Sequence, residues 1–266
     1  MLCGFKFISS HAVSTPENAH AMPYRRLPNT DSARIRALKA AYNKGKSLSP
    51  FELAYSQSTF TKVDLFINSF EKAMSHYKTA YTSQVERRRD YEQSVKKARI
   101  YLSHFIQVLN MAIARGEFPP TLRQTYGMEV DERRMPSLST EPELIEWGKR
   151  IIDGETLRLQ RGQTPITNPT IAVVKVRYQQ FVEAYNNQKI LQQNTQRLLN
   201  DLNSLRGRAD EIILSIWNEV EAKFANLPDD ERRQKASEYG VVYVYRKNEL
   251  KELATPQRPL LDLFGM

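Results

Sequence analysis

Groups able to do chemistry are few in this chain and poorly placed for it. The 266 residues include 4 His and 1 Cys. Glu17 and His20 form a single Glu-x-x-His, just after Pro16. A carboxylate-bridged metal site in a helical bundle needs that motif twice, with two further inward carboxylates. His76 and His104 are four heptads apart, so they share a helix face but stand about 40 Å from each other along it. That is too far to share a metal, and each reads as a solvated flank residue. Gly45-Lys46-Ser47 matches the end of a phosphate-binding loop, but Ala40 stands where its first glycine belongs and a helix precedes it instead of a strand. Gly45 reads better as the C-cap of a short helix. Cys3 has no structured electropositive pocket to activate it, and a lone cysteine excludes an internal disulfide framework. Asp153-Gly154-Glu155 with Arg158 is the most polar cluster at a predicted helix end. Glu155 and Arg158 sit three apart and read as a structural ion pair of a few tenths of a kcal/mol, the order of ~0.2–0.5 kcal/mol for such pairs. The expectation is therefore no catalytic residue, no metal and no cofactor.

Two other constellations suggest binding. Arg87-Arg88-Arg89, Lys96-Lys97 and Arg99 put six cations in thirteen residues of one helix. Arg87, Arg89, Lys96, Lys97 and Arg99 are the candidate contact face, since a basic helix face attracts phosphates by counterion release. Glu86, Asp90 and Glu92 are interleaved at spacings that favour internal ion pairs. The first reading is thus a solvated face, with nucleic acid or an acidic protein as alternatives. No helix-turn-helix, zinc-finger or RNA-binding aromatic motif supports nucleic acid. The second constellation is a polar layer of Gln84, Arg88, Gln188, Gln192 and Thr195. It reads first as register control, as a buried Asn does in coiled coils. A ligand cavity between helices and a solvated splay are the alternatives.

Two long helices must position these groups. Residues 51–115 contain neither Gly nor Pro, with Pro50 before them and Gly116 after. Apolar residues recur there at spacings of three and four, from Phe60, Val63, Ile67 and Phe70 to Leu102, Phe105, Leu109 and Ala112. Such a repeat held over seven heptads is a coiled-coil seam. Residues 170–226, between Pro169 and Pro228, repeat the design with Ile171, Val174, Tyr178 and Phe181 through Ile213, Ile216 and Val220. Both seams turn polar near their centres, at the layer just described. Helices this long need a partner to be stable, and each is the other's natural partner. Two short helices precede them: 31–44 with Asp31 as cap, and 141–161 with Thr140 as cap, Pro142 in the first turn and Glu143 three residues on.

The seams align without a gap at an offset of 111 residues. Val63 falls on Val174, Phe70 on Phe181 and Ala98 on Ala209. Tyr126-Gly127 and Tyr239-Gly240 follow the two long helices, each before a short extended-looking run, Met128–Val130 and Val241–Tyr245. The expected fold is all-α with minor β: an elongated antiparallel helical bundle of two tandem repeats, each short helix, long helix and short strand, with pseudo-two-fold symmetry and the two strands available to pair. Residues 1–21 form a mobile extension on this reading, with Met22 the better start. The repeats span 22–134 and 135–248 and share one core, and 249–266 form a tail whose leucines and Phe264 dock on the bundle or meet a partner.

Charge and composition narrow the classes. Of the net charge of +9, the excess lies in the first 115 residues, where Lys and Arg outnumber Asp and Glu by eight to two up to residue 50 and by ten to six beyond it. Such a balance attracts polyanions non-specifically and is silent on fold. The 41% hydrophobic content fits a folded globular chain, and no apolar run reaches the ~18 residues of a membrane span. With no signal segment and no disulfide pair, the cytoplasm is the expected compartment. The leading functional reading is a non-enzymatic structural or protein-interaction module, with a protein partner or self-association and no membrane. A nucleic-acid-associated protein using the basic face is the alternative, and a small-ligand binder at the polar layer is third.

Overall fold

A computed structural model describes residues 23–131 and 134–245. The order of elements is β1 (Tyr24–Arg25), α1 (Asp31–Ser47), α2 (Gln57–Ala114), a 3-10 helix (Pro120–Tyr126), α3 (Glu141–Gln160), α4 (Ile171–Lys223), α5 (Asp229–Ser237) and β2 (Tyr243–Val244). The protein is thus mainly helical, and the described residues hold one two-stranded sheet. No helix among them is long and apolar enough to cross a membrane. The expected extension over 1–21 and tail over 249–266 lie outside the described residues.

The capping signals of α3 act as its sequence implies. Thr140 Oγ1 accepts from the Glu143 N–H, and the Glu143 carboxylate returns a bond to the Thr140 N–H at 3.0 Å. The cap of α1 is Thr30 and not Asp31: Thr30 has the extended backbone a cap requires and accepts from the Ala33 N–H, while Asp31 opens the helix. Gly45 does not end α1 either. It is buried inside the helix, where a Cβ would stand 2.7 Å from the Phe60 ring, so the glycine serves close packing. The first long helix starts at Gln57 instead of 51. Ser49 and Glu52 bond each other across a turn, Leu53, Ala54 and Tyr55 turn inward, and the Glu219 carboxylate accepts from the Ser56 N–H at the helix start.

The expected pairing of the two extended runs is corrected. Met128–Val130 is not a strand, because the chain before it closes into the 3-10 helix, with Gly127 in a left-handed conformation at φ 73°. The second run does form β2, and its partner is β1, with Tyr24 opposite Val244 and Arg25 opposite Tyr243 in antiparallel register. Neither β1 nor the 3-10 helix nor α5 had a sequence signal strong enough to be expected.

The described residues pack as two compact units, one of 23–69 with 206–245, the other of those between 70 and 205. In the first, Leu38, Ala41, Val63, Ala209, Ile213, Ile216 and Val220 are fully buried, with Trp217 and Tyr239 nearly so. Its polar ties run from α1 and β1 to α4: Arg34 bonds Asp210 with two nitrogens at 2.7 and 2.9 Å, Arg206 bonds Asp31 in the same way, and Arg25 meets Glu221 and Asn218. The Arg206 guanidinium holds the Asp31 carboxyl below the usual carboxylate range. In the second unit, Ala98, Leu102, Phe105, Ile106, Leu109, Leu144, Ile151, Val174 and Phe181 form one fully buried cluster. The heptad seams therefore supply most of both cores.

Candidate functional site

In the second unit the polar layer opens into a groove of about 770 Å³. Four of the five layer residues line it: Gln84 and Arg88 from α2, Gln188 and Gln192 from α4. Heptad spacing puts them there, since a seam position turned polar gives up the apolar contact that would close the gap. The fifth, Thr195, is buried off the groove, and its hydroxyl has no hydrogen-bond partner. Gln188 is a mostly buried residue, 8% exposed, but its amide, unlike the Thr195 hydroxyl, is not buried without a partner. It also borders a second cavity of about 260 Å³, with Arg87, Asp90 and Tyr91 around it.

The groove walls are aromatic and charged. Tyr91 donates its hydroxyl to Glu141 at 3.2 Å, and burial together with that carboxylate pushes its phenol up to about 12. Arg88 Nε donates to Glu92 at 2.7 Å, an exposed i, i+4 pair. Arg99 faces another way in chemical terms: its Nε and Nη2 donate to the carbonyls of Leu138 and Ser139 at 2.7 and 2.9 Å, fastening the segment before α3 to α2. Lys96 lines the groove, exposed and without an ion-pair partner among the described residues.

The basic face expected from sequence is divided among different surfaces. Lys96 and Arg99 line the large groove, Arg87 the smaller cavity, and Lys97 a third depression beside Asp90 and Glu183. Arg89 is exposed and lines none of these. His76 and His104 are both exposed.

The polar cluster of α3 is more than the surface pair its spacing implied. Asp153 is exposed, but Glu155 and Arg158 are fully buried. The Glu155 carboxylate accepts from the Tyr126 hydroxyl and, at 3.0 Å, from the Ile166 N–H. Arg158 donates to the Thr164 carbonyl, and its guanidinium lies 4.7 Å from the Phe118 ring centre. Burial and Glu155 push the Tyr126 phenol upward. The cluster ties the loop after α3 to the 3-10 helix and is closed to solvent. Tyr126, Ile166 and Phe118 could not be found from sequence, because what recruits them is distance in space and not spacing along the chain.

The first unit holds a separate cavity of about 500 Å³, with Thr59, Lys62, Phe66 and Arg208 on its walls. Thr59 is engaged with Glu219 and the Arg208 guanidinium lies 5.7 Å from the Phe66 ring centre. The chain matches no protein family, no curated protein and no solved structure.

Proposed function

We propose that this protein is a non-enzymatic protein-interaction module whose binding surface is the groove of the second unit. One observation carries the reading: a groove lined by the side chains of Gln84, Gln188 and Gln192 opens between charged and aromatic walls, and no buried ionisable group faces into it. Each amide offers both donors and an acceptor to whatever lies in the groove. The groove extends along α2 from Tyr81 to Arg99, about 27 Å at the helical rise, and is partly open to solvent. A small-molecule site instead encloses most of its ligand. The titratable groups with the deepest burial, Glu155 and Arg158, are sealed from substrate, which supports a role outside catalysis.

The scaffold carrying the groove is, on this reading, a tandem duplication of 22–134 and 135–248. Residues 111 apart are buried alike: Val63 and Val174, Phe70 and Phe181, Ala98 and Ala209, Leu102 and Ile213, Leu109 and Val220 are all 0% exposed. Tyr126 and Tyr239 are buried in turn, each followed by a glycine at positive φ. The bonds of Ser56 and Thr59, at the start of α2, to Glu219, near the end of α4, favour an antiparallel pairing of the long helices. Such a duplicated scaffold leaves its copies free to diverge.

Two measurements test the reading. A photo-crosslinking residue at Val85, on the groove wall, is expected to yield discrete protein adducts in cells that the same probe at exposed His104 does not. Labelled random-sequence DNA and RNA are expected not to bind the full chain at about 50 mM salt; a micromolar affinity falling steeply towards about 200 mM would overturn it in favour of phosphate binding.

A further inference from the structure

We propose that the partner seated on this groove is a second copy of the chain, the two α2 helices lying antiparallel with Val85 on the two-fold axis. The inference rests on the protein-interaction reading and names the partner. It starts from how little covers the middle of the long helices. No residue from 71 to 94 of α2 is buried, and between Phe181 and Leu202 of α4 the buried residues are Gln188 and Thr195, both polar. This stretch has no apolar core of its own, although long helices draw their stability from packing. Its apolar side chains stand exposed instead. Tyr81 and Val85, one turn apart on the groove wall, are 52% and 51% exposed, and the Tyr77 ring centre lies 6.1 Å from that of Tyr81.

Lys78, Tyr81, Val85, Arg88 and Glu92 follow one another at spacings of three and four, the interval of a coiled-coil seam, and all five are exposed. Their chemistry is self-complementary about Val85. An antiparallel copy sets Val85 against Val85 and brings its Arg88 guanidinium beside Tyr81. It also sets Glu92, one heptad after the axis, against Lys78, one heptad before it. Each off-axis contact then occurs twice, as a two-fold interface requires, giving an apolar centre flanked by cation–π pairs and ion pairs. The bond Glu92 already accepts from Arg88 is an exposed i, i+4 pair, so sharing that carboxylate costs little. Gln84 and Gln192 line the adjoining groove, and an amide, both donor and acceptor, matches another amide. The pairing can run over residues 76–94 before buried positions resume at Val95, about 28 Å at the helical rise. A patch of that length and two helices wide, ~10 Å each, buries about 1,100 Å² over both copies, just above the ~1,000 Å² a specific interface needs.

Sedimentation equilibrium of the full chain is the test. A reversible dimer with a Kd of micromolar order is expected. Lys78→Glu, which turns both ion pairs into like-charge contacts, should weaken it about tenfold or more, and adding Glu92→Lys should restore it. Val85→Cys, in a chain carrying Cys3→Ser, should oxidise to a disulfide-linked dimer, whereas His104→Cys in the same background should not. These replaced α2 side chains are exposed, so the variants keep the fold. A chain that stays monomeric at millimolar concentration, or a dimer indifferent to the charge swap, would overturn the self-pairing. The interaction reading then stands if the probe at Val85 still captures a different protein in cells, and falls with it if the probe captures none.

Discussion

The Glu155 carboxylate and the Arg158 guanidinium lie 3.1 Å apart, one helical turn from each other on α3, with neither side chain more than 2% exposed. Glu155 is otherwise well served, by Tyr126 and the Ile166 N–H. Arg158 is not: its Nη1 has no hydrogen-bond partner, and its Nε meets Glu155 as a charge contact without hydrogen-bond alignment. The carboxylate thus depends on the guanidinium for charge, while the guanidinium also bonds the Thr164 carbonyl and lies against the Phe118 ring.

That dependence predicts an asymmetry between single and double replacement. Arg158→Met strands a buried negative charge and should cost about 3–5 kcal/mol, whereas Glu155→Gln with Arg158→Met should recover much of the loss, since replacing a whole buried pair is often near neutral. Urea unfolding of both variants and the parent checks this. Equal destabilisation by the single and double changes would show that the pair's charge is not what matters.

Two helical glycines make opposite predictions. A Cβ on Gly154 would stand 2.6 Å from the Thr125 carbonyl oxygen and 2.7 Å from the Tyr126 ring, so Gly154→Ala must push the 3-10 helix off α3. A loss of about 1–3 kcal/mol is expected from such overpacking. Gly207 lies exposed inside α4, and a Cβ there would meet nothing within 4 Å. Gly207→Ala should stabilise by about 0.5–1 kcal/mol through helix propensity. Thermal unfolding of the two variants should move in opposite directions.

How much of this could be read from residues alone follows from the range of the interactions. The two long helices, α3 and its capping box were legible, because heptad spacing and caps are local signals. The polar layer was legible as a layer, and four of its five residues do line one groove. The direction Arg99 takes was not: helical spacing gave it the same face as Lys96 but could not show the Leu138 and Ser139 carbonyls 39 and 40 residues away. β1 failed for the same reason, since two residues carry no period and their partner is more than 200 residues downstream.

The capping box gives a pH prediction. Bonds from the Thr140 N–H, first, and from Ser137 hold the Glu143 carboxyl down at about 2. An unfolded glutamate titrates near 4.3, as about that value is usual for the free side chain. A depressed folded value stabilises the protein fully above the unfolded one, and the gain is lost as pH falls from about 4.3 through 2. Glu143→Gln keeps the capping geometry but not the charge. The parent should therefore melt above the variant at pH 6, with the gap closing across that acid window. A gap unchanged between pH 6 and pH 2 would mean the charge contributes nothing to the cap.

Arg99 is a structural cation of the groove wall. Its fork reaches two backbone carbonyls at once, 2.7 and 2.9 Å away, which an ammonium cannot reproduce, so Arg99→Lys should behave more like a loss than a conservative change. Those carbonyls belong to Leu138 and Ser139, just before the Thr140 cap. Releasing them should therefore loosen the start of α3 before the rest of the unit. We expect Arg99→Lys to cost about 1–2 kcal/mol, the range of a charge-assisted hydrogen bond partly exposed to water. Amide exchange should quicken in residues 138–144 while the 102–109 stretch of α2, buried beside it, stays protected. A variant with parental stability and exchange would show that the two carbonyl bonds do not hold the start of α3.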